Sequence, residues 1–223
     1  MRYTHTYRML LILLLILVLL LLNLLLGSVA IPAQSIWNIL TGTGNEPVSW
    51  QNIVWKSRLP QALTALAAGA GLAVSGLQMQ TVFRNPLAGP SVLGISSGAS
   101  MGVAFVILLS GSLGGVALSR LGVMGEIALS VAAIIGSLSV MALIVYVSQK
   151  VKGNVTLLII GVMIGYVSNA VIGVLKFFSV EEDIRAYVIW GLGSFSRVSG
   201  NQMMLFVTLM AILLPLSFLL IKT

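Results

Sequence analysis

The chain has 223 residues, of which 58% are hydrophobic and only 8% are charged, and its mean hydropathy is +1.09. A soluble domain carries about 25% charged residues, so this composition excludes an aqueous enzyme. The formal net charge is +7, but the basic residues stand singly at the ends of apolar runs, which excludes a nucleic-acid-binding face. The composition therefore predicts a protein of the lipid bilayer.

Six apolar stretches are long enough to cross a membrane, for which a helix needs about 20 residues. They cover residues 9–26, 61–83, 92–109, 123–147, 155–178 and 203–221. Helices are favoured over a barrel because barrel strands are about ten residues long and alternate in hydrophobicity. The predicted fold class is all-α, a polytopic transmembrane helical bundle that forms a single domain over residues 1–223.

The first stretch has a second interpretation as a secretory signal, because Arg2 and Arg8 precede it and Ser28 and Ala30 resemble a cleavage site. A signal has an apolar core of about 7–15 residues, so the longer stretch at 9–26 favours a retained helix. The residues alone leave the orientation open. If the N-terminus is cytoplasmic, the 12 Lys and Arg residues divide six against six between the two sides.

Small residues recur at every fourth position on four of the predicted helices, which places each set on one helix face. The sets are Ala65, Gly69 and Ala73; Gly94, Gly98 and Gly102; Ala128, Ala132 and Gly136; and Gly161, Gly165, Asn169 and Gly173. In lipid, close packing through small residues replaces the hydrophobic attraction between helices. We therefore predict helix packing at Gly69, Gly94, Gly98 and Gly102.

The set on the fifth helix differs because Asn169 is polar and lies in the middle of an apolar stretch. A polar side chain at that depth is expected to face protein or a water-filled cavity. The face of Gly161, Gly165 and Asn169 is thus the first candidate for lining a pathway. Plain bundle packing is the alternative that the residues leave open.

A proline-rich segment, RNPLAGP at residues 84–90, separates the second and third helices. Pro86 and Pro90 lack the N–H that a helix requires, and Pro86 moves Asn85 out of helical geometry. Ser91 follows at a position suited to cap the third helix. The segment predicts a rigid hairpin at one membrane surface.

A second polar segment lies between the fifth and sixth stretches, where Glu181, Glu182 and Asp183 precede Tyr187 and Trp190. Acids suit the first turn of a helix, and Tyr and Trp suit the membrane interface. We predict a short surface helix with a solvated acidic end. Three adjacent acids rarely converge on a metal without other ligands, so no metal site is predicted.

Five motifs stand in a fixed order along the chain: RLP at 58–60, RNPLAGP at 84–90, LGISSGA at 93–99, LLIIG at 157–161 and WGLGSFS at 190–196. Together they closely resemble the FecCD-type permease subunits of iron-chelate and cobalamin ABC importers. The resemblance implies a permease of ten helices in the inner membrane, with a cytoplasmic N-terminus and a second permease copy. It also implies ATP-binding subunits below, which carry ATP and Mg, and a soluble substrate-binding protein above. No cofactor, metal, nucleic-acid partner or enzymatic activity is expected on this chain itself.

The resemblance also implies roles for single residues. Arg58 matches a basic position at the outer surface that pairs with acids of the binding protein. The family has a second basic residue where this chain has Gln61, and Lys56 is a candidate replacement.

Two further segments match family elements that close the pathway at its cytoplasmic end. Asn85 and Leu87 match the first gating loop, and Asn154, Val155 and Thr156 match the second. The family's fifth helix lines the channel at the dimer interface. That implication agrees with the face chosen from the polarity of Asn169.

The family places its ATPase-coupling loop and four more helices after the sixth helix, where this chain ends. Two hypotheses therefore stand. In the first, the chain is the permease of an importer for ferric siderophores, haem or cobalamin that works by alternating access. In the second, it is a truncated, non-transporting membrane fragment or a structural partner of a full-length permease. An intramembrane enzyme is disfavoured, since no His, Asp or Cys lies inside a predicted span.

Overall fold

The computed structural model describes residues 2–112, 123–151, 153–196 and 198–221, and every regular element in these ranges is helical. In chain order the helices are α1 (Arg2–Leu25), α2 (Ala33–Thr41), α3 (Val48–Ile53), a π-helical segment (Val54–Arg58), α4 (Leu59–Phe83), α5 (Ile95–Ser112), α6 (Val123–Ser148), α7 (Asn154–Phe177), α8 (Glu181–Gly191) and α9 (Gly200–Ile221). They form two compact units. The first contains Met1–Gly71 and Phe195–Thr223, and the second contains Leu72–Ser194.

The membrane-spanning helices confirm the predicted polytopic helical bundle. Among the described residues, five helices are long and apolar enough to cross a membrane: Thr6–Leu25, Val48–Phe83, Met124–Ser148, Val155–Phe177 and Gly200–Leu220. A shorter apolar helix, Ile95–Leu109, occupies the place of the third predicted span. The second span is longer than predicted because α3, the π-helical segment and α4 run on as one helix.

The third helix begins three residues later than predicted because the chain forms successive turns before it. The amide of Val92 donates to the carbonyl of Gly89 over 3.0 Å, and the amide of Gly94 donates to that of Ser91 over 3.2 Å. Gly94 has a φ of +74°, a left-handed conformation that favours glycine. Helix α5 then starts at Ile95, so the prediction that Ser91 caps this helix is wrong.

The first unit has its buried cluster beside the loop that follows α1, and not along the length of α1. Four side chains form that cluster: Ile31, Ile36, Ile39 and Val54. Most side chains of α1 are exposed, as a helix that faces lipid requires.

The second unit is built around α5, which packs against α6, α7 and α8. One cluster joins α5, α7 and α8 through Val103, Ala104, Ile107, Leu108, Ile172 and Tyr187. The other joins the end of α4 and the turns after it to α6 through Phe83, Ala88, Leu93, Val140 and Ile144. Both ends of α7 are thereby held against neighbouring elements.

The α5–α6 contact is a backbone contact at glycines. A Cβ atom added to Gly98 would lie 2.7 Å from the carbonyl oxygen of Gly136, which is too close for any real Cβ. A Cβ on Gly102 would collide with the carbonyl of Ala132. Gly69 of α4 differs, because a Cβ there would meet no described atom within 4 Å. Helix packing at Gly69 stays a prediction.

Candidate functional site

An open cavity of about 250 Å³ lies in the second unit between α7 and the turns that lead into α5. Its wall includes Ser91, Gly94, Ser97, Gly165, Tyr166 and Asn169. Gly161, Gly165 and Asn169 all border it, so the structure brings the three predicted pathway residues together. Ser91, Ser97 and Tyr166 are wall residues that the fourfold spacing did not identify.

The three predicted residues have different surroundings. Gly161 is buried where α7 crosses the preceding turns, and a Cβ there would lie 2.7 Å from the Cα atom of Leu93. Gly165 is half-buried beside Ser97, whose Oγ would lie 3.3 Å from an added Cβ. Asn169 is exposed and forms part of the cavity wall. Gly161 is therefore both a helix contact and part of the cavity wall, whereas Gly165 and Asn169 belong to the wall alone.

The polar groups around the cavity are all neutral: the amide of Asn169, the phenol of Tyr166 and the hydroxyls of Ser91 and Ser97. An apolar groove of about 400 Å³ continues along α7 towards Val155. Within the described ranges, no group of three or more His, Cys, Asp or Glu residues is placed to hold a metal ion. Such a surface is better suited to weak, transient contacts with a large solute than to tight binding of a small ion.

The first predicted gating loop follows a tight helix end. The amides of Arg84 and Asn85 donate to the carbonyls of Thr81 and Gln80 over 3.3 and 3.1 Å, the paired bonds of a Schellman motif. Arg84 takes the left-handed position of this motif with a φ of +47°, although glycine is usual there. The carbonyl oxygen of the Asn85 side chain then accepts the amide of Leu87 over 2.9 Å. Leu87 is left 83% exposed.

The second predicted gating loop lies at the beginning of α7. Asn154 is the first residue of the helix, and its side chain lies outside the described part. Val155 and Thr156 are exposed. Ala88 of the first loop and Leu157 of α7 border the same buried cluster, so the structure brings both loops to one end of the second unit.

The two predicted docking residues are placed differently. Lys56 is exposed. Arg58 is only 5% exposed, and its Nη1 donates to the carbonyls of Leu24 and Leu25 over 2.6 and 3.1 Å. This burial contradicts the expected surface position of Arg58 in this conformation, because its side chain is bound to carbonyls at the end of α1. Docking at Lys56 and Arg58 stays a prediction.

Helix α8 forms where a short surface helix was expected, but its acidic end is not fully solvated. Asp183 is 6% exposed, and its Oδ2 has no hydrogen-bond partner. Burial, and next the charge of Glu182, raise the pKa of Asp183. Asp183 and Tyr187 are one turn apart and both face inwards, a helical spacing that the sequence already contains.

Tyr187 connects α8 to its neighbours. The ammonium of Lys176 lies 4.8 Å from the centre of the Tyr187 ring. Burial raises the pKa of Tyr187, while a hydrogen bond with Ser100 of α5 lowers it. These contacts hold α8 against the end of α7 and against α5.

Comparison with known proteins gives one consistent result. The FecCD transport family matches residues 14–223. The chain is 35% identical over 176 residues to the vitamin B12 import system permease protein BtuC of Pectobacterium atrosepticum, a match that covers 77% of this chain and 50% of the relative. It is 35% identical over 180 residues to the hemin transport system permease protein HmuU of Yersinia pestis, with 80% and 50% covered.

A solved structure, described as an inward-facing conformation of a metal-chelate type ABC transporter, superposes with a TM-score of 0.65 and 27% identity. It covers 86% of this chain and 54% of that structure's chain. The chain thus spans about half the length of the relatives that it matches. The family match covers nearly all of the chain, from the first membrane-spanning helix onward, and on this basis the chain belongs to the FecCD transport family.

Proposed function

We propose that the chain acts as a permease subunit of an ABC importer and moves a ferric siderophore, haem or cobalamin across the inner membrane by alternating access. The observation that carries this proposal is the family match over residues 14–223. The named relatives serve vitamin B12 and hemin, and the similar structure is of metal-chelate type. All these cargoes are bulky chelates of a metal.

The face of α7 from Val155 to Asn169 is the proposed wall of the pathway. Neutral polar groups line one part of this face and apolar side chains the other, so a large solute makes many weak contacts and can dissociate again. Charged groups that would hold an anionic chelate tightly are absent from the described wall.

Leu87 and Val155 are the proposed closing contacts of the cytoplasmic gate. Both are apolar and strongly exposed, at 83% and 68%, and both lie at the same end of the second unit. Exposed apolar side chains beside a pathway close it by excluding water when copies of them meet. A second permease copy supplies the other side of the gate in this proposal.

The remaining partners follow from the proposed function. ATP-binding subunits, which hold ATP and Mg, drive the change between outward-open and inward-open states. A substrate-binding protein delivers the cargo on the outer side, where the exposed Lys56 offers it a positive charge. The N-terminus is then cytoplasmic.

The function is tested by reconstituting the protein in liposomes together with its ATP-binding subunits and substrate-binding protein. Uptake of radiolabelled cobalamin, haemin and a ferric siderophore is measured with and without ATP. We expect ATP-dependent accumulation of one of the three. If none accumulates although the assembled complex hydrolyses ATP, the proposal is wrong.

The pathway wall is tested by Asn169→Leu, which removes the only amide side chain described in the cavity wall. Val167→Leu is the matched control, because Val167 is exposed on the same helix but points about 200° away from Asn169. We expect Asn169→Leu to slow uptake about tenfold or more without lowering the melting temperature, and Val167→Leu to leave uptake unchanged. Equal uptake by both variants would show that Asn169 does not line the pathway.

A further inference from the structure

The side chain of Arg58 crosses from the π-helical segment to the end of α1, 33 and 34 residues away in sequence. Its Nη1 donates to the carbonyl of Leu24 over 2.6 Å and to that of Leu25 over 3.1 Å. Its Nη2 donates to the carbonyl of Val29 in the loop that follows. One guanidinium therefore connects the end of α1, the loop after it and the beginning of α4.

The carbonyls at the end of α1 require hydrogen-bond donors, and Arg58 supplies them. The last carbonyls of a helix have no partner within the helix, and they carry the negative end of the helix dipole. No basic residue lies in the last turn of α1 itself. Next to a membrane, an unpaired carbonyl is costly. The charged donors of Arg58 satisfy two of these carbonyls from another part of the chain.

The loop is shaped to leave room for the guanidinium. A Cβ atom added to Gly27 would lie 2.7 Å from Nη2 of Arg58 and 3.0 Å from Cζ. The φ of Gly27 lies outside the left-handed range that side chains avoid, so its backbone would accept alanine. Space for Arg58, and not backbone conformation, is thus the reason for a glycine at this position.

We propose that Arg58 is a positioning residue that clamps the end of α1 and the loop at 26–29 to the beginning of α4. Its neighbour Lys56 is then the cation that remains available to an acidic partner. The two side chains point to roughly opposite sides of the helical segment, one buried and one exposed. The statement about Lys56 rests on the proposed function, whereas the clamp does not depend on it.

The clamp is tested first by thermal unfolding of the protein in detergent. Arg58→Gln is expected to lower the melting temperature by about 4 °C or more, because it removes charged hydrogen bonds to three carbonyls. In a protein of this size, each kcal/mol lost from the free energy of unfolding lowers the melting temperature by about 2–4 °C. Arg58→Lys keeps the charge but lacks the planar fork of donors, so its melting temperature should lie between those of wild type and Arg58→Gln. Lys56→Gln, the control, is expected to leave the melting temperature unchanged, since Lys56 is exposed. The clamp would be overturned if both Arg58 variants melted within about 1 °C of wild type, which is roughly the error of the measurement.

A second-site substitution distinguishes the clamp from a general loss of stability. Gly27→Ala displaces a guanidinium that is anchored to three carbonyls, so it should lower the melting temperature of the wild type. In an Arg58→Ala background the space is empty, and Gly27→Ala should then have no effect. An equal effect in both backgrounds would show that Gly27 and Arg58 do not interact, which contradicts the proposal.

Docking is tested with the importer's substrate-binding protein at several salt concentrations. Lys56→Glu should weaken binding about tenfold at low salt and flatten its salt dependence, because charge attraction across an interface is screened by salt. Arg58→Gln should leave the salt dependence unchanged, because the proposal gives Arg58 no part in the charge attraction. A flattened salt dependence in Arg58→Gln, with an unchanged melting temperature, would make Arg58 the docking charge. Failure of the wild type to bind would contradict the proposed function and leave the unfolding results to decide the clamp.

Discussion

At the scale of single residues, Asp183 shows how burial changes a side chain that the sequence places in an acidic run. Burial is the main cause that raises the pKa of its carboxyl, and the charge of Glu182 is the second. The folded protein then holds the Asp183 proton to a higher pH than the unfolded chain. Stability therefore falls as the pH rises from the ordinary pKa of 3.8 to the raised one, and the loss persists above it.

We predict that Asp183→Asn removes this cost, because an amide is similar in shape and needs no charge in the buried site. Near pH 3.5 the melting temperature of the variant should be at least that of wild type, and at pH 7 it should be clearly higher. Thermal unfolding in detergent across that pH range measures both. Glu181→Gln is the control, since Glu181 is exposed and shares the same first turn. A lower melting temperature for Asp183→Asn at pH 7 would mean that the charged carboxylate is stabilising.

At the scale of helices, the same fourfold spacing of small residues leads to different outcomes. On α5 the spacing brings Gly98 against Gly136 of α6, so the helices touch backbone to backbone. On α7, Gly173 belongs to the same predicted stripe as Gly161, yet a Cβ at Gly173 meets no described atom within 4 Å. Spacing identifies a smooth face, whereas only the positions of neighbouring helices decide which part of it is used.

We predict that Gly98→Ala destabilises the protein by about 1–3 kcal/mol, the usual range for overpacking. The added Cβ would lie 2.7 Å from a backbone carbonyl that cannot move without separating α5 from α6. Gly173→Ala, the matched control, should be neutral or stabilising by up to about 1 kcal/mol, since alanine is the better helix former. Chemical unfolding in mixed micelles measures both, and equal losses would contradict the packing argument.

At the scale of the whole molecule, α7 sets the distance between the two ends of the second unit. It has 24 residues and is therefore about 36 Å long, enough to cross a bilayer. Leu87 and Val155 lie at its beginning, and α8 follows its end. The proposed cytoplasmic N-terminus then puts Leu87 inside and Glu181 outside.

This orientation is testable because the chain contains no cysteine of its own. We predict that Leu87→Cys is labelled by a membrane-impermeant maleimide only in inverted vesicles, and Glu181→Cys only in intact spheroplasts. Both side chains are exposed in this structure, and in the proposed importer Leu87 is reached from the cytoplasmic side whenever the gate opens. The opposite pattern would reverse the proposed topology.

The sequence by itself determined that the chain crosses a membrane as helices, approximately where each crossing lies, and which family it resembles. Those properties follow from apolar length and from local motifs such as RNPLAGP, which act over a few residues. Only the tertiary structure decided the surroundings of each side chain. Arg58 is buried by a helix end that lies 33 residues earlier, and Asp183 by the packing of α8. Spacing within one helix cannot specify such contacts, because they depend on where other helices come to lie.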